Sequence, residues 1–134
     1  MTTPEKNSSN AGRRVMIFDD DTDLLEVCSI ILRTKNFDVL AKNKCSEIIH
    51  DVEDYKPDVI LMDNWIPDAG GVKATQMIKN NDQLRDIPVI FFSANSNIAQ
   101  LSSEAGADYF LQKPFDSLEL EEAVTTAIHS RSLE

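Results

Sequence analysis

Four short apolar runs in this chain each stop on a polar or charged residue: residues 15–18 on Asp19 and Asp20, 59–62 on Asp63, 89–92 on Ser93, and 109–112 on Lys113. Runs of this length alternating with helix-length amphipathic stretches mark parallel strands buried on both faces. The coarse reading is strand 14–18, helix 22–35, strand 37–41, helix 45–54, strand 58–62, helix 70–81, strand 87–92, helix 96–105, strand 108–112 and helix 116–130. That is an α/β chain of five βα units. Short connections and right-handed crossovers then leave a doubly wound five-stranded parallel sheet, most simply in the order 2-1-3-4-5.

Such a sheet binds ligands outside the carboxyl ends of its strands, which is where the runs stop. Asp19 and Asp20 end strand 1 and Asp63 ends strand 3, and this order makes those strands neighbours. Three crowded carboxylates cannot all ionise comfortably without a cation, and hard oxygen donors suit Mg²⁺. Asp63 precedes a loop running from Asn64 to Gly70 and Gly71, which leaves its carboxylate on an exposed lip and makes it the candidate nucleophile. Ser93 and Lys113 supply a hydroxyl and a point charge suited to the oxygens of a phosphoryl group.

The length, 134 residues, suits one domain, and 13 Lys+Arg against 23 Asp+Glu give a charge of −10 with no basic stripe. A polyanion is repelled by such a surface, which argues against direct nucleic-acid binding. No apolar stretch nears the ~20 residues needed to span a bilayer, and the polar first 14 residues lack the apolar middle of a secretory signal. A cytoplasmic location without membrane insertion is expected. Residues 1–12 read as a disordered tail, 13–131 as the domain, and 132–134 as a C-terminal tail in which Leu133-Glu134 resembles a cloning scar. Cys28 and Cys45 are too few for a disulfide framework and read as reduced thiols, with Cys28 on the buried face of its helix.

The residues resemble the receiver domain of two-component response regulators, a flavodoxin-like family, over residues 14 to about 130. The matching pieces are the acidic pair in Ile17-Phe18-Asp19-Asp20-Asp21, the segment Asp63-Asn64-Trp65-Ile66-Pro67 with Gly71 eight residues after the Asp, Ser93-Ala94, and Gly106-Ala107 leading to Lys113-Pro114-Phe115. The resemblance implies that Asp63 accepts a phosphoryl group from the phosphohistidine of a sensor histidine kinase or a histidine phosphotransfer protein, with Mg²⁺ as cofactor. It implies direct metal binding by Asp20, mainly water-mediated binding by Asp19, and a further ligand in the Trp65 carbonyl. Ser93 and Lys113 would hold the phosphoryl oxygens, and the Lys113-Pro114 bond would be cis.

Phe110, three residues before the lysine, takes the position of an aromatic switch that turns inward when Ser93 moves onto the phosphoryl group. The surface of strand 4, helix 4, strand 5 and helix 5 would then change for a downstream protein target, with a homodimer as a further candidate assembly. The chain would be a regulatory phosphoacceptor, not an enzyme beyond its own phosphorylation and dephosphorylation. It would be either a stand-alone regulator or an excised receiver. Trp65 is bulkier than is usual two places after the acceptor, and Gly70 replaces the more usual Asp or Asn. Trp65 and Asn95 flank the phosphoryl site and are assigned to its turnover.

Simpler readings stand beside these. Asp21 suits a helix cap, Phe110 a core aromatic, and Ser93 a cap of the following helix. Trp65 reads as exposed, His50 and His129 as ordinary exposed helix residues, and Glu119, Glu121 and Glu122 as a solvated face. Leu24, Val27, Cys28 and Ile31, and then Leu118, Leu120, Ala123, Val124, Ala127 and Ile128, read as core stripes. Two rival functions remain. A haloacid-dehalogenase-type phosphatase would use Asp19-Asp20-Asp21, but Asp23 stands where Thr or Val is expected and Asp63 is left without a role. A phosphorylation-independent interaction module would not need all five site residues.

Overall fold

The computed structural model describes residues 12–66 and 70–132, with the side chains of 131 and 132 excepted. Five strands, β1 (Arg14–Phe18), β2 (Asp38–Lys42), β3 (Val59–Asp63), β4 (Val89–Ser93) and β5 (Tyr109–Gln112), alternate with α1 (Thr22–Thr34), α2 (Ile48–Tyr55), α3 (Gly71–Lys79), α4 (Ile98–Ala105) and α5 (Ser117–Ser132). All pairings are parallel and the order is β2-β1-β3-β4-β5, as the sequence pattern predicts.

The period-two alternation of the strands divides the core into two layers. Val15, Ile17, Val59, Leu61, Ile90 and Phe92 face Leu25, Cys28 and Leu32 of α1 and Leu120, Val124 and Ala127 of α5. Met16, Phe18, Ile60, Met62 and Val89 face α2 and α3 through Ile48, Val52, Ala74 and Ile78, and Phe91 faces Ile98 of α4. Full burial of such side chains stabilises by roughly 1.5–3 kcal/mol each, so the sheet is a rigid platform for what its ends carry.

The helix ends follow local chemistry. Asp21 caps α1, its side chain accepting from the Leu24 N–H at 3.1 Å. Asp116 and Glu119 form a reciprocal capping box before α5: the Asp116 N–H donates to Glu119 Oε1 at 2.9 Å, and the Glu119 N–H to Asp116 Oδ1 at 2.8 Å. Glu119 is therefore a capping residue, and Glu121 pairs with Lys35 at 3.5 Å, so of that acidic run only Glu122 fits the plain solvated-face reading. His50 and His129 are exposed and neither cysteine is in a disulfide, as expected; Cys28 lies on the buried face of its helix, also as expected, and Cys45 is buried as well.

Several expected boundaries shift. The helix expected from 45 begins at Ile48 because Cys45 turns into the core and a turn at 46–47 precedes it. The helix expected from 96 begins at Ile98 because the Asn97 N–H donates to Asn95 Oδ1 at 2.8 Å, closing a side-chain turn first. The stripe of α1 is rotated: Leu25, Cys28 and Leu32 are buried, whereas Val27 is 52% exposed, and on α5 Leu118 is 58% exposed. The expected N-terminal tail, residues 1–11, and Leu133-Glu134 lie outside the described residues. Among the described residues no helix is long and apolar enough to cross a membrane.

Candidate functional site

Register builds the site. Phe18 pairs with Met62 across β1 and β3, Asp63 with Phe92 across β3 and β4, and Ser93 with Gln112 across β4 and β5. Asp19, Asp63, Ser93 and Lys113 therefore emerge along one sheet edge. They line a cleft of about 430 Å³ together with Asp20 and Asn95, and Trp65 also contributes to its walls. A hollow of about 500 Å³ at the opposite edge, lined by Glu53, Lys56, Asp58 and Gln83 among others, has no comparable convergence of groups.

The Lys113 ammonium ties the cleft together. Its Nζ donates to Asp19 Oδ2 at 2.7 Å and to Asp63 Oδ1 at 2.9 Å. The other oxygens are met by backbone: the Asp21 N–H donates to Asp19 Oδ1 at 2.9 Å, and the Trp65 N–H to Asp63 Oδ2 at 3.0 Å. Each of these four oxygens so keeps a lone pair free for another partner. Asp19 and Asp63 are 1% and 4% exposed, so Asp63 is set into the floor of the cleft and not on the exposed lip expected from the sequence, whereas Asp20 is exposed.

Burial raises the pKa of both Asp19 and Asp63 above the ordinary value, more strongly than the hydrogen bonds from Lys113 lower it. For Lys113 burial works downward, but the hydrogen bonds it donates to Asp19 and Asp63 override it and hold the ammonium above its usual range. One cation for three carboxylates leaves a net deficit of positive charge. Oxygens of Asp19, Asp20 and Asp63 lie within 4.8 Å of one another, and an all-oxygen donor set with two buried carboxylates fits a hard divalent cation.

Asp19, Asp20, Asp63, Trp65, Ser93, Asn95 and Lys113, all predicted from sequence, are brought together here. The Lys113-Pro114 bond is cis, as expected. Ser93 Oγ accepts from the Asn95 N–H at 3.1 Å, so the hydroxyl also serves the turn leading to α4. Trp65 is 73% exposed, as expected, while Phe110 is 50% exposed on β5 and does not fit the core-aromatic reading. The reading from sequence missed Phe92, whose ring lies 4.7 Å from Lys113 Nζ. Its place immediately before Ser93 in a buried strand was the only signal.

Comparison with known proteins fits this geometry. The family model described as response regulator receiver domain matches residues 15–125. The chain belongs to that family. This receiver domain is 28% identical, over 81% of its length, to the DNA-binding response regulator MtrA of Mycolicibacterium smegmatis, covering 47% of that protein. It is 29% identical, again over 81%, to the CAI-1 autoinducer sensor kinase/phosphatase CqsS of Vibrio cholerae, covering 16% of it. The receiver domain thus spans half or less of the length of these curated relatives. Among solved structures, the receiver domain of sensor histidine kinase PA1611 from Pseudomonas aeruginosa, which has a magnesium ion coordinated in its active-site cleft, superposes with a TM-score of 0.82 at 26% identity, covering 89% of this chain and 99% of that one.

Proposed function

We propose that Asp63 is the phosphoryl acceptor of this receiver domain and that a histidine kinase or histidine phosphotransfer protein is its donor. A free lone pair on an Asp63 carboxylate oxygen attacks the phosphorus in line, the P–N bond to the donor imidazole breaks, and the imidazole keeps the bonding electrons and takes a proton. Lys113, already within hydrogen-bond distance of Asp63, follows the charge onto the transferred oxygens, and Ser93 donates its hydroxyl to them. The observation that carries the reading is the Lys113 ammonium shared between Asp19 and Asp63 beside the third carboxylate of Asp20.

Asp19, Asp20, Asp63 and the Trp65 carbonyl would hold Mg²⁺. The ion would supply positive charge against the oxygens of the transferring group. Mg²⁺ is supported by the oxygen donor set here and by the magnesium ion in the related Pseudomonas receiver. Movement of Ser93 toward the phosphoryl group takes its oxygen from the Asn95 N–H, and Phe110, half-exposed on β5, turns toward the vacated space. The altered surface of β4, α4, β5 and α5 is then read by a protein target, since a charge of −10 disfavours direct contact with nucleic acid. The haloacid-dehalogenase alternative gives no reason for Lys113 to contact Asp63.

The test is the intact mass after exposure to acetyl phosphate and Mg²⁺. The wild type gains one phosphoryl group and Asp63→Asn gains none. Equal labelling of the two proteins would reject the assignment.

A further inference from the structure

We propose that Phe92 is a positioning residue whose ring face anchors the Lys113 ammonium in the phosphoryl site. The proposal rests on the reading of Asp63 as acceptor and extends it to a residue outside the cleft's polar set.

Strand register puts the ring where it can act. Phe92 pairs with Asp63 across β3 and β4, and it shares the layer of Ile17 and Leu61, the residues two before Asp19 and Asp63. By the alternation of side chains along a strand, Asp19, Asp63 and Phe92 project from the same face of the sheet. The ring is fully buried, and Lys113 Nζ lies over it at 4.7 Å from the centroid, inside the range in which a cation is attracted to an aromatic face. Phe115, two residues after the lysine, packs against Phe92 with centroids 6.2 Å apart and planes at 45°. The ring is therefore fixed on its own side by another aromatic.

Three attractions hold this ammonium: Asp19 Oδ2, Asp63 Oδ1 and the ring. They are not equivalent. The carboxylates are shared with any cation in the cleft, and a second positive charge there also repels the ammonium directly. A lysine held only by carboxylates would then swing toward solvent, to which its side chain is already 20% exposed. Among the described residues the ring faces no cation but Lys113. It retains the ammonium beside Asp63 at the stage when the carboxylates hold it least, and so keeps it ready for the incoming phosphoryl oxygens.

A graded fluorine series separates this role from packing, because fluorination weakens the negative ring face while nearly preserving its shape. The 134-residue chain carrying 4-fluoro-, 3,5-difluoro- and 3,4,5-trifluorophenylalanine at position 92 is titrated with Mg²⁺ and then, at saturating Mg²⁺, with beryllofluoride as the phosphoryl mimic. The single tryptophan, Trp65, lies in the cleft wall and reports both by fluorescence. The same residues at Phe37, buried in the same apolar layer away from the cleft, control for fluorine in the core. Beryllofluoride affinity is expected to fall stepwise at position 92, by roughly two- to thirtyfold at three fluorines, with Mg²⁺ affinity not lowered and the Phe37 series flat. A flat series at 92, an equal loss at 37, or a parallel loss of Mg²⁺ affinity would overturn the role of Phe92. Failure of the acceptor reading is separate: unsubstituted protein would then not bind beryllofluoride at all.

Discussion

Gly71 and Asp63 are pressed together so closely that no side chain fits between them: a Cβ at position 71 would overlap the carbonyl oxygen of Asp63 and crowd Asn64 Cα. The Gly71 N–H also donates to the Asn64 carbonyl at 3.0 Å. The start of α3 is thereby seated directly on the strand end that presents Asp63. Gly70, one residue earlier, is a glycine for another reason, a φ of 80° with open space around it.

The two adjacent glycines therefore respond differently to the same change. Gly70→Ala meets only backbone strain, about 1 kcal/mol. Gly71→Ala must displace backbone atoms of Asp63 and Asn64 and is expected to lose more, roughly 1–3 kcal/mol as for other overpacked sites, and, on the proposed acceptor role of Asp63, to slow its phosphorylation. Urea unfolding of both variants checks the order. Equal losses would show that the contact at Gly71 relaxes freely.

Asp63→Asn tests the charge balance of the cleft as a function of pH. The raised pKa of Lys113 shows that its contacts favour the ammonium, whereas the raised pKa values of Asp19 and Asp63 show that burial outweighs those contacts for the carboxylates. With two buried carboxylates to one ammonium, the carboxylate direction governs the metal-free protein near neutral pH. An acid whose folded pKa is raised stabilises the fold as pH falls through the window from that raised value to the ordinary 3.8, and opposes it above. Asparagine cannot ionise, so metal-free Asp63→Asn should melt a few degrees higher than wild type at pH 7, since about 1 kcal/mol moves Tm by roughly 3–6 °C in a domain of this size. The gap should close as the pH falls through the window. Thermal melts in chelator across pH 4–8 read it directly, and a gap that widens toward acid would contradict the cause.

Asp20 is the exposed member of the acidic group. Asp20→Ala removes one of the oxygens proposed to hold Mg²⁺ without touching the Lys113 contacts, which run to Asp19 and Asp63. Mg²⁺ affinity is expected to drop by at least the roughly 10- to 100-fold typical of losing an outer-shell partner. The metal-free melting temperature is expected to hold or rise, because a like charge leaves a crowded cluster. Calorimetric Mg²⁺ titration and a melt in chelator measure the two, and a lowered metal-free Tm would count against repulsion among the carboxylates.

What was legible in the sequence was what lies at strand ends. Buried parallel strands must stop where polar residues begin, and that rule placed Asp19, Asp63, Ser93 and Lys113 on one edge before any contact was known. Helix faces were less legible. Leu24, Val27 and Ile31 have the same spacing as Leu25, Cys28 and Leu32, and only the seating of α1 on the sheet decides that Leu25 is buried and Val27 exposed. Helix starts shifted where side chains close their own turns, as Asn95 does with the Asn97 N–H. Phe92 escaped because a buried aromatic in a strand reads as packing, and its second role depends on a lysine 21 residues later in the chain.

On the proposed acceptor role of Asp63, the lifetime of the phosphorylated state would depend on whether water reaches the phosphorus opposite the Asp63 oxygen, past the side chains at 65 and 95 that line the cleft. An amide at 95 favours hydrolysis if it orients that water, and an indole at 65 opposes it by bulk. Asn95 Oδ1 accepts the Asn97 N–H at 2.8 Å, which uses one of its two lone pairs and ties the side chain into the turn before α4, so the amide has little freedom to follow an incoming water. Trp65 is 73% exposed and contributes to the cleft wall, which leaves the indole free to lie over the approach. Asp63 phosphate should therefore decay faster in Trp65→Asn than in wild type, by severalfold. Asn95→Asp, which keeps the loop acceptor, should change the decay less than Trp65→Asn does. Following loss of ³²P from each protein with Mg²⁺ present measures this, and an unchanged or slower decay in Trp65→Asn would reject shielding by the indole.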